Sequence, residues 1–293
     1  MFQRIIVPVD GSHRSWDAAR LGAVIARTGA ASLELVHVVF DRRQIDHGRR
    51  ELRSGLLAQR ALAVEPDLRA LVGDDDDSVA AVIARHAEAT AGSMVVMSSS
   101  GRGRTAAVLG SVADDLVRKM FGPIIVVGPN VTDLVTFDGD IIVPVDGSAF
   151  SETSLPLAAA WGIGLGATPW VVEVLDRAAE PDGDVAESSY PKRLAAELGE
   201  RSHHAVEFDV LHGTDPGRAI AGYADAQGAG LVLMSTHGRS GLRRLTLGST
   251  AATVVHHASC PVVLHRPPRL DLDSDLDGAD SLVRGSASHA PGR

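Results

Sequence analysis

The chain has 293 residues, 45% hydrophobic and 22% charged, which is typical of a globular protein with about two domains. Its 28 basic and 37 acidic residues give a net charge of −9, which argues against a nucleic-acid partner. One cysteine, Cys260, excludes an intramolecular disulfide and any cysteine-rich zinc site, and no apolar run reaches the roughly 18 residues of a membrane helix. We therefore expect a cytoplasmic protein that is neither secreted nor membrane-spanning.

Short apolar runs alternate with longer alanine-rich stretches along the first half of the chain. The runs predict strands at 4–9, 33–39, 68–72, 93–97 and 123–127. The stretches between them predict helices at 15–28, 50–63, 78–90 and 111–120. Because continuously apolar strands are buried on both faces, this half is predicted to be a doubly wound α/β domain with a five-stranded parallel sheet.

The second half repeats the first. Residues 5–12 and 141–148 are identical, reading Ile-Ile-Val-Pro-Val-Asp-Gly-Ser. Later segments also recur in order, and the repeat predicts strands near 140–145, 169–174, 205–211, 230–235 and 261–265. We predict one domain at 1–130, a linker at 131–139, a second domain at 140–268 and a disordered acidic tail at 269–293.

Two features of each copy converge on the carboxyl edge of the predicted sheet, where doubly wound folds bind ligands. The first is an aspartate just after strand one, Asp10 or Asp146, which could accept hydrogen bonds from a nucleoside or simply form a turn. The second is a glycine-rich loop after strand four that ends in Gly-Ser at a helix start, a pattern suited to phosphate. The histidines do not show the spacing of metal ligands together with nearby carboxylates, so the sequence does not indicate a metal site. Cys260 is interpreted as a structural thiol.

These motifs resemble the universal stress protein family in its tandem-domain form. The resemblance rests on Val-Pro-Val-Asp-Gly-Ser, Met-Ser-Thr-His-Gly-Arg-Ser-Gly, Leu-Gly-Ser and Cys-Pro-Val-Val, and covers nearly all of 1–268. It implies an adenine nucleotide α hydrolase-like fold and, in the nucleotide-binding branch, ATP, alone or with Mg²⁺. It further implies that strand five of each copy pairs with the other copy as a pseudo-dimer within the chain, with homodimerisation between chains left open.

The resemblance also assigns nucleotide contacts residue by residue. The aspartates would lie beside the nucleoside, the prolines would give a backbone contact, the valines would pack on adenine, and the loop glycines and helix starts would hold phosphates. In the first copy the matching positions are Pro8, Asp10, Val38, Gly101, Gly110, Ser111 and Val112. In the second copy they are Pro144, Asp146, Val174, Gly238, Gly248, Ser249 and Thr250, with Arg239 as a further phosphate contact.

Both copies depart from the family's Gly-x2-Gly-x9-Gly-Ser/Thr signature. Ser98 and Ser235 replace its first glycine, which is costly if that position needs a positive φ or a close approach to the ligand. Gly238 and Gly248 enclose nine residues as the signature requires, whereas Gly101 and Gly110 enclose eight. We therefore expect the second copy to be the stronger nucleotide site.

Three functions remain open at this point. The first is an ATP-binding stress-response regulator without dedicated catalysis, acting on an unidentified protein partner. The second is an enzyme such as a slow ATPase, although the sequence has no Gly-Lys-Ser/Thr phosphate loop and no evident general base beside a nucleophile. The third is an interaction scaffold that has lost its nucleotide, which the two serines and the short loop favour.

Overall fold

The computed structural model describes residues 2–59, 62–101, 109–132, 139–176, 188–236 and 247–266, and shows an α/β fold. The first half runs β1 Arg4–Pro8, α1 His13–Thr28, β2 Ser32–Val39, α2 Ile45–Ala58, β3 Asp67–Val72, α3 Val79–Glu88, β4 Ser93–Ser98, α4 Ser111–Lys119 and β5 Gly122–Val127. The second runs β6 Ile141–Val145, α5 Ala149–Glu152, α6 Leu155–Leu165, β7 Pro169–Leu175, α7 Ser189–Ser202, β8 Glu207–His212, α8 Pro216–Gln227, β9 Leu231–Ser235, α9 Ser249–His257 and β10 Val262–Arg266.

All ten strands form one sheet in the order β3-β2-β1-β4-β5-β10-β9-β6-β7-β8. The strands are parallel within each half, and β5 pairs with β10 in antiparallel register, with Ile125 opposite Val263. The predicted pairing of the two fifth strands is therefore confirmed. It covers an edge that each half would otherwise expose.

Side chains also join the two halves. The rings of Phe2 and Trp161 meet edge to face with centroids 5.5 Å apart, and Phe2 precedes β1 while Trp161 lies on α6. Asn130 Nδ2 donates to the carbonyls of His256 and His257 at 3.0 and 3.1 Å. Since these are the last two residues of α9, the chain leaving β5 satisfies carbonyls that the helix end leaves without an internal partner.

A hydrophobic core lies on each face of the sheet, because successive strand residues point to opposite sides. Ile5 and Val7 are buried in one core and Ile6 in the other. Each core contains residues from both halves, so the two copies share their buried surface. This burial explains why the central strands are continuously apolar rather than alternating.

Helix starts follow local capping signals. Ser12 Oγ accepts from the Ser15 amide at the start of α1, and Ser78 Oγ accepts from the Ala81 amide at the start of α3. The second predicted helix was placed wrongly, since α2 spans Ile45–Ala58 rather than 50–63. A short 3-10 turn, Arg42–Gln44, capped by Asp41, precedes α2 and moves its start toward the amino terminus.

Within the described ranges, no helix is both long and apolar enough to cross a membrane. The predicted tail at 269–293 and residues 133–138 of the predicted linker lie outside the described residues.

Candidate functional site

A cavity of about 320 Å³ opens at the carboxyl ends of β1, β2 and β4. We call it the central cavity. It is lined by all the first-copy positions that the sequence singled out, namely Pro8, Asp10, Val38, Ser98, Gly101, Gly110, Ser111 and Val112. Four separate stretches of sequence thus meet at the edge where parallel α/β sheets bind ligands.

Asp10 follows the carboxyl end of β1, and its side chain forms the turn that the Asp-Gly-Ser sequence predicts. Its Oδ1 accepts from the Ser12 amide at 2.9 Å, while Ser12 itself caps α1. The other carboxylate oxygen lies against Gly101, where an added Cβ would be 2.5 Å from Asp10 Oδ2. The backbone of Gly101 does not itself need glycine, because its φ is not positive, but any side chain there would push the Asp10 carboxylate aside. The turn and the cavity wall use opposite sides of one carboxylate.

One end of the central cavity is apolar. Val36 and Val38 on β2 face Val79 and Ile83 of α3 across it, and Met97 of β4 completes this end. Val36 and Ile83 are almost fully buried, whereas Val38 and Val79 are partly exposed. Such a slot suits a flat apolar or aromatic group.

The opposite end is the amino terminus of α4. Gly110 is its N-cap and has no side chain to accept from the first amides of the helix. The Gly110 amide itself donates to Ser99 O at 2.7 Å, which ties the start of α4 to the end of β4. Ser111, Val112 and Ala113 follow along the cavity wall, and their amides are the ones that a helix leaves without internal partners. Unpaired amides and the helix dipole favour an anion here.

Ser98 and Ser235 do not carry the conformational cost anticipated from the sequence. Each ends a strand, β4 or β9, and neither has a positive φ; among the described residues other than glycine, only Ala30 and His203 do. Ser98 Oγ donates to Ser100 O at 2.9 Å. The hydroxyl therefore supports the loop that carries Gly101.

The described part of the second copy repeats this geometry. Asp146 Oδ1 accepts from the amide and the hydroxyl of Ser148 at 3.1 and 2.6 Å. Gly248 is the N-cap of α9, again without a side-chain cap, and its amide donates to Thr236 O at 3.2 Å. Pro144 and Val174 lie on β6 and β7, Ser249 and Thr250 begin α9, and Gly238 and Arg239 lie outside the described residues.

The sequence reasoning missed His37, which also lines the central cavity. Its Nδ1 lies 2.8 Å from Val9 O, and because a carbonyl can only accept, Nδ1 carries the proton. In the neutral ring Nε2 is then an acceptor. A polar residue between Val36 and Val38, near the end of a buried strand, was the available signal.

No group of three histidine, cysteine, aspartate or glutamate side chains is arranged to hold a metal within the part of the chain that the structure describes. Cys260 is buried, and burial together with nearby Asp225 raises the pKa of its thiol to about 12. This thiol therefore stays protonated at neutral pH and is a poor nucleophile.

Comparisons with known proteins agree with this architecture. The universal stress protein family model matches residues 1–128 and 139–266. Universal stress protein Rv2005c of Mycobacterium tuberculosis is 31% identical over 89% of this chain and 96% of its own length. A crystal structure of a universal stress protein from Archaeoglobus fulgidus covers 90% of this chain and 96% of its own with a TM-score of 0.60 and 18% identity, which supports the fold.

A shorter A. fulgidus universal stress protein, solved in complex with dAMP, covers 45% of this chain and all of its own, with 23% identity and a TM-score of 0.37. The two family matches and the relative over almost the full length fix the assignment. The chain belongs to the universal stress protein family, as a member with two tandem domains.

Proposed function

We propose that the central cavity binds an adenine nucleotide, with ATP as the full-length ligand. The observation that carries this proposal is the polarity of the cavity, which runs from an apolar slot through one carboxylate to an uncapped helix start. This order matches the order of base, sugar and phosphates in a nucleotide. The volume of about 320 Å³ falls within the range of small-ligand sites.

Each part of the ligand has a partner in this proposal. The base packs between Val38 and Ile83, and Asp10 accepts from ribose hydroxyls. The phosphates take the first amides of α4, with the Ser111 hydroxyl as an added donor. A side chain at position 101 would displace the Asp10 carboxylate, so glycine there keeps it in place for the sugar.

The residues also fit Mg²⁺ arriving with the nucleotide rather than a resident metal. Asp10 is the one carboxylate among the residues that line the described cavity, and it lies at the sugar position. Mg²⁺ would therefore be held by phosphate oxygens, water and the Ser111 hydroxyl, as is usual for this ion.

The bound nucleotide would act as a regulator rather than as a substrate for rapid turnover. A ligand that binds only the native state stabilises it by about 2.7 kcal/mol at a hundredfold excess over the Kd. Such linkage lets nucleotide levels set the stability of the domain, and through it the choice of a protein partner. A reducing compartment such as the cytoplasm suits its single buried thiol.

Titration calorimetry and thermal melting with ATP, AMP and GTP test this proposal. We expect saturable binding of ATP and AMP with a rise in melting temperature, and weaker binding of GTP. Release of phosphate from ATP at many turnovers per second would show that the protein is an ATPase rather than a regulator. Absence of both heat and thermal shift with every nucleotide would instead support a nucleotide-free scaffold.

A further inference from the structure

A second cavity, of about 390 Å³, lies in the first half on the other side of Val9 and His37 from the central cavity. We call it the side groove. Its floor is apolar, formed by Val9, Trp16 and Leu52, all of them buried. Trp16 packs directly against α2 at Gly55, where an added Cβ would overlap Trp16 Cζ2.

The rim of the side groove is polar and includes one arginine, Arg50. His47, Arg50, Glu51 and Ser54 of α2 line it, and all four are exposed. Glu51 Oε1 lies 3.6 Å from His47 Nε2, so this carboxylate has a neighbour on its own helix. Arg50 lines the groove and takes part in none of the ion pairs resolved among the described residues.

The sequence duplication identifies the residues of the second half that correspond to those lining the side groove. The shared Asp-Gly-Ser motif makes Gly147 the counterpart of Gly11 and Glu152 the counterpart of Trp16. Val7 pairs with Leu35 as Val143 pairs with Val171, so Glu173 is the counterpart of His37. Gly11, Trp16 and His37 all line the side groove.

Their three counterparts surround the phenol of Tyr190, which reaches in from α7. Tyr190 Oη donates to Glu152 Oε1 at 2.9 Å. Burial raises the pKa of Tyr190, as do Glu152 and Glu173, while the Gly147 amide lowers it. The second half thus places a p-hydroxyphenyl group of its own among the counterparts of three residues that line the side groove.

We propose that the side groove binds a small para-hydroxylated aromatic acid. The aromatic ring lies on the apolar floor beside Trp16, in the place that the Tyr190 ring takes in the other half. The hydroxyl donates to His37 Nε2, which is the acceptor of the neutral ring, since Nδ1 donates to Val9 O. The carboxylate pairs with Arg50 at the rim. The groove shares Val9 and His37 with the central cavity, but the proposal does not depend on nucleotide binding.

Titration of the nucleotide-free full-length protein with 4-hydroxybenzoate, followed by NMR, tests the proposal. The chain has three tryptophans, and a Trp16→Phe variant identifies the Trp16 indole signal. We expect a saturable shift of that signal with a Kd on the order of 1 mM or tighter. Benzoate, which lacks the hydroxyl, should bind several-fold more weakly. A Trp16 signal that does not move up to about ten times that concentration would overturn the proposal.

Two neighbouring arginines of α2 provide a matched pair of variants. Arg50→Met should weaken 4-hydroxybenzoate binding about tenfold, because it removes the carboxylate's partner. Arg49→Met makes the same change of charge on an exposed residue that does not line the groove, and should leave the Kd within about twofold. If both variants lose the same affinity for 4-hydroxybenzoate, the arginines act only through the general positive charge of α2, which would contradict the assigned site.

Chemical rescue in the second half gives an independent test. Tyr190→Ala should lower the melting temperature and create a place that free p-cresol refills, with partial recovery of stability. Tyr223→Ala is the control, since Tyr223 lies on the other face of the sheet against Trp170. Recovery of the melting temperature by p-cresol in Tyr190→Ala alone supports a phenol-binding site at this position. Equal recovery in both variants, or recovery in neither, contradicts such a site.

Discussion

The contact between Gly101 and Asp10 leads to a sharp prediction for Gly101→Ala. An added Cβ would lie 2.5 Å from Asp10 Oδ2, closer than a real Cβ tolerates. The carboxylate must rotate away, while the backbone is unaffected because the φ of Gly101 is not positive. The variant should therefore remain folded and lose the hydrogen bond that a sugar hydroxyl donates to Asp10.

The size of the effect follows from that lost hydrogen bond. A hydrogen bond to a charged group contributes about 1.5–3 kcal/mol, which corresponds to a loss of roughly ten- to a hundredfold in nucleotide affinity. Calorimetric titration with ATP measures this loss, and a thermal melt without nucleotide shows whether the fold is intact. The expected melting temperature without ligand is within a few degrees of wild type.

Two other glycines provide controls for Gly101→Ala. Gly222 in α8 is exposed and has nothing within 4 Å of an added Cβ, so Gly222→Ala should raise stability slightly and leave binding unchanged. At Gly110 the Cβ would lie 3.3 Å from Ser99 O, so Gly110→Ala should have an intermediate effect on binding. If the first-half site of Gly101→Ala binds ATP within twofold of wild type, Asp10 is not a nucleotide ligand.

Three further predictions follow. Asp146→Ala should weaken nucleotide binding more than Asp10→Ala, because the second loop has the full nine residues; calorimetry that finds equal losses would contradict this ranking. The side chain of Glu34 is almost fully buried; burial raises the pKa of its carboxyl, but the stronger combined effect of His86, Arg69 and Arg4 lowers it below its usual value of 4.5. The charged carboxylate therefore stabilises the fold above pH 4.5, and this stabilisation is lost as pH falls through the lower folded pKa. Glu34→Gln should lower the free energy of unfolding in urea by about 1–3 kcal/mol at pH 7 and by much less in acid. An equal loss at both pH values would refute the ionic account. Cys260 should react with a thiol reagent at pH 8 only after denaturation, and rapid labelling of the native protein would show that it is not buried.

The sequence was sufficient for the overall fold because its signals are local and repeated. Continuous apolar runs placed the strands to within a few residues, and the resemblance to the universal stress protein family implied that the two fifth strands would pair. The start of α2 was missed because the capping aspartate, Asp41, precedes a 3-10 turn rather than the helix itself.

The candidate site was predictable in its motif residues but not in its surroundings. Asp10, Gly101 and Gly110 carry recognisable spacing, and the structure brings them to one cavity. The side groove gave no such signal. In the second half, Tyr190 of α7 reaches the residues equivalent to those that line the groove. This contact between distant parts of the sequence is visible only in the folded chain.

A crystal structure of the full chain with ATP tests the central claim most directly. The account predicts an adenine ring between Val38 and Ile83, with the phosphates at the first amides of α4. A central cavity filled only by solvent at millimolar ATP would contradict it.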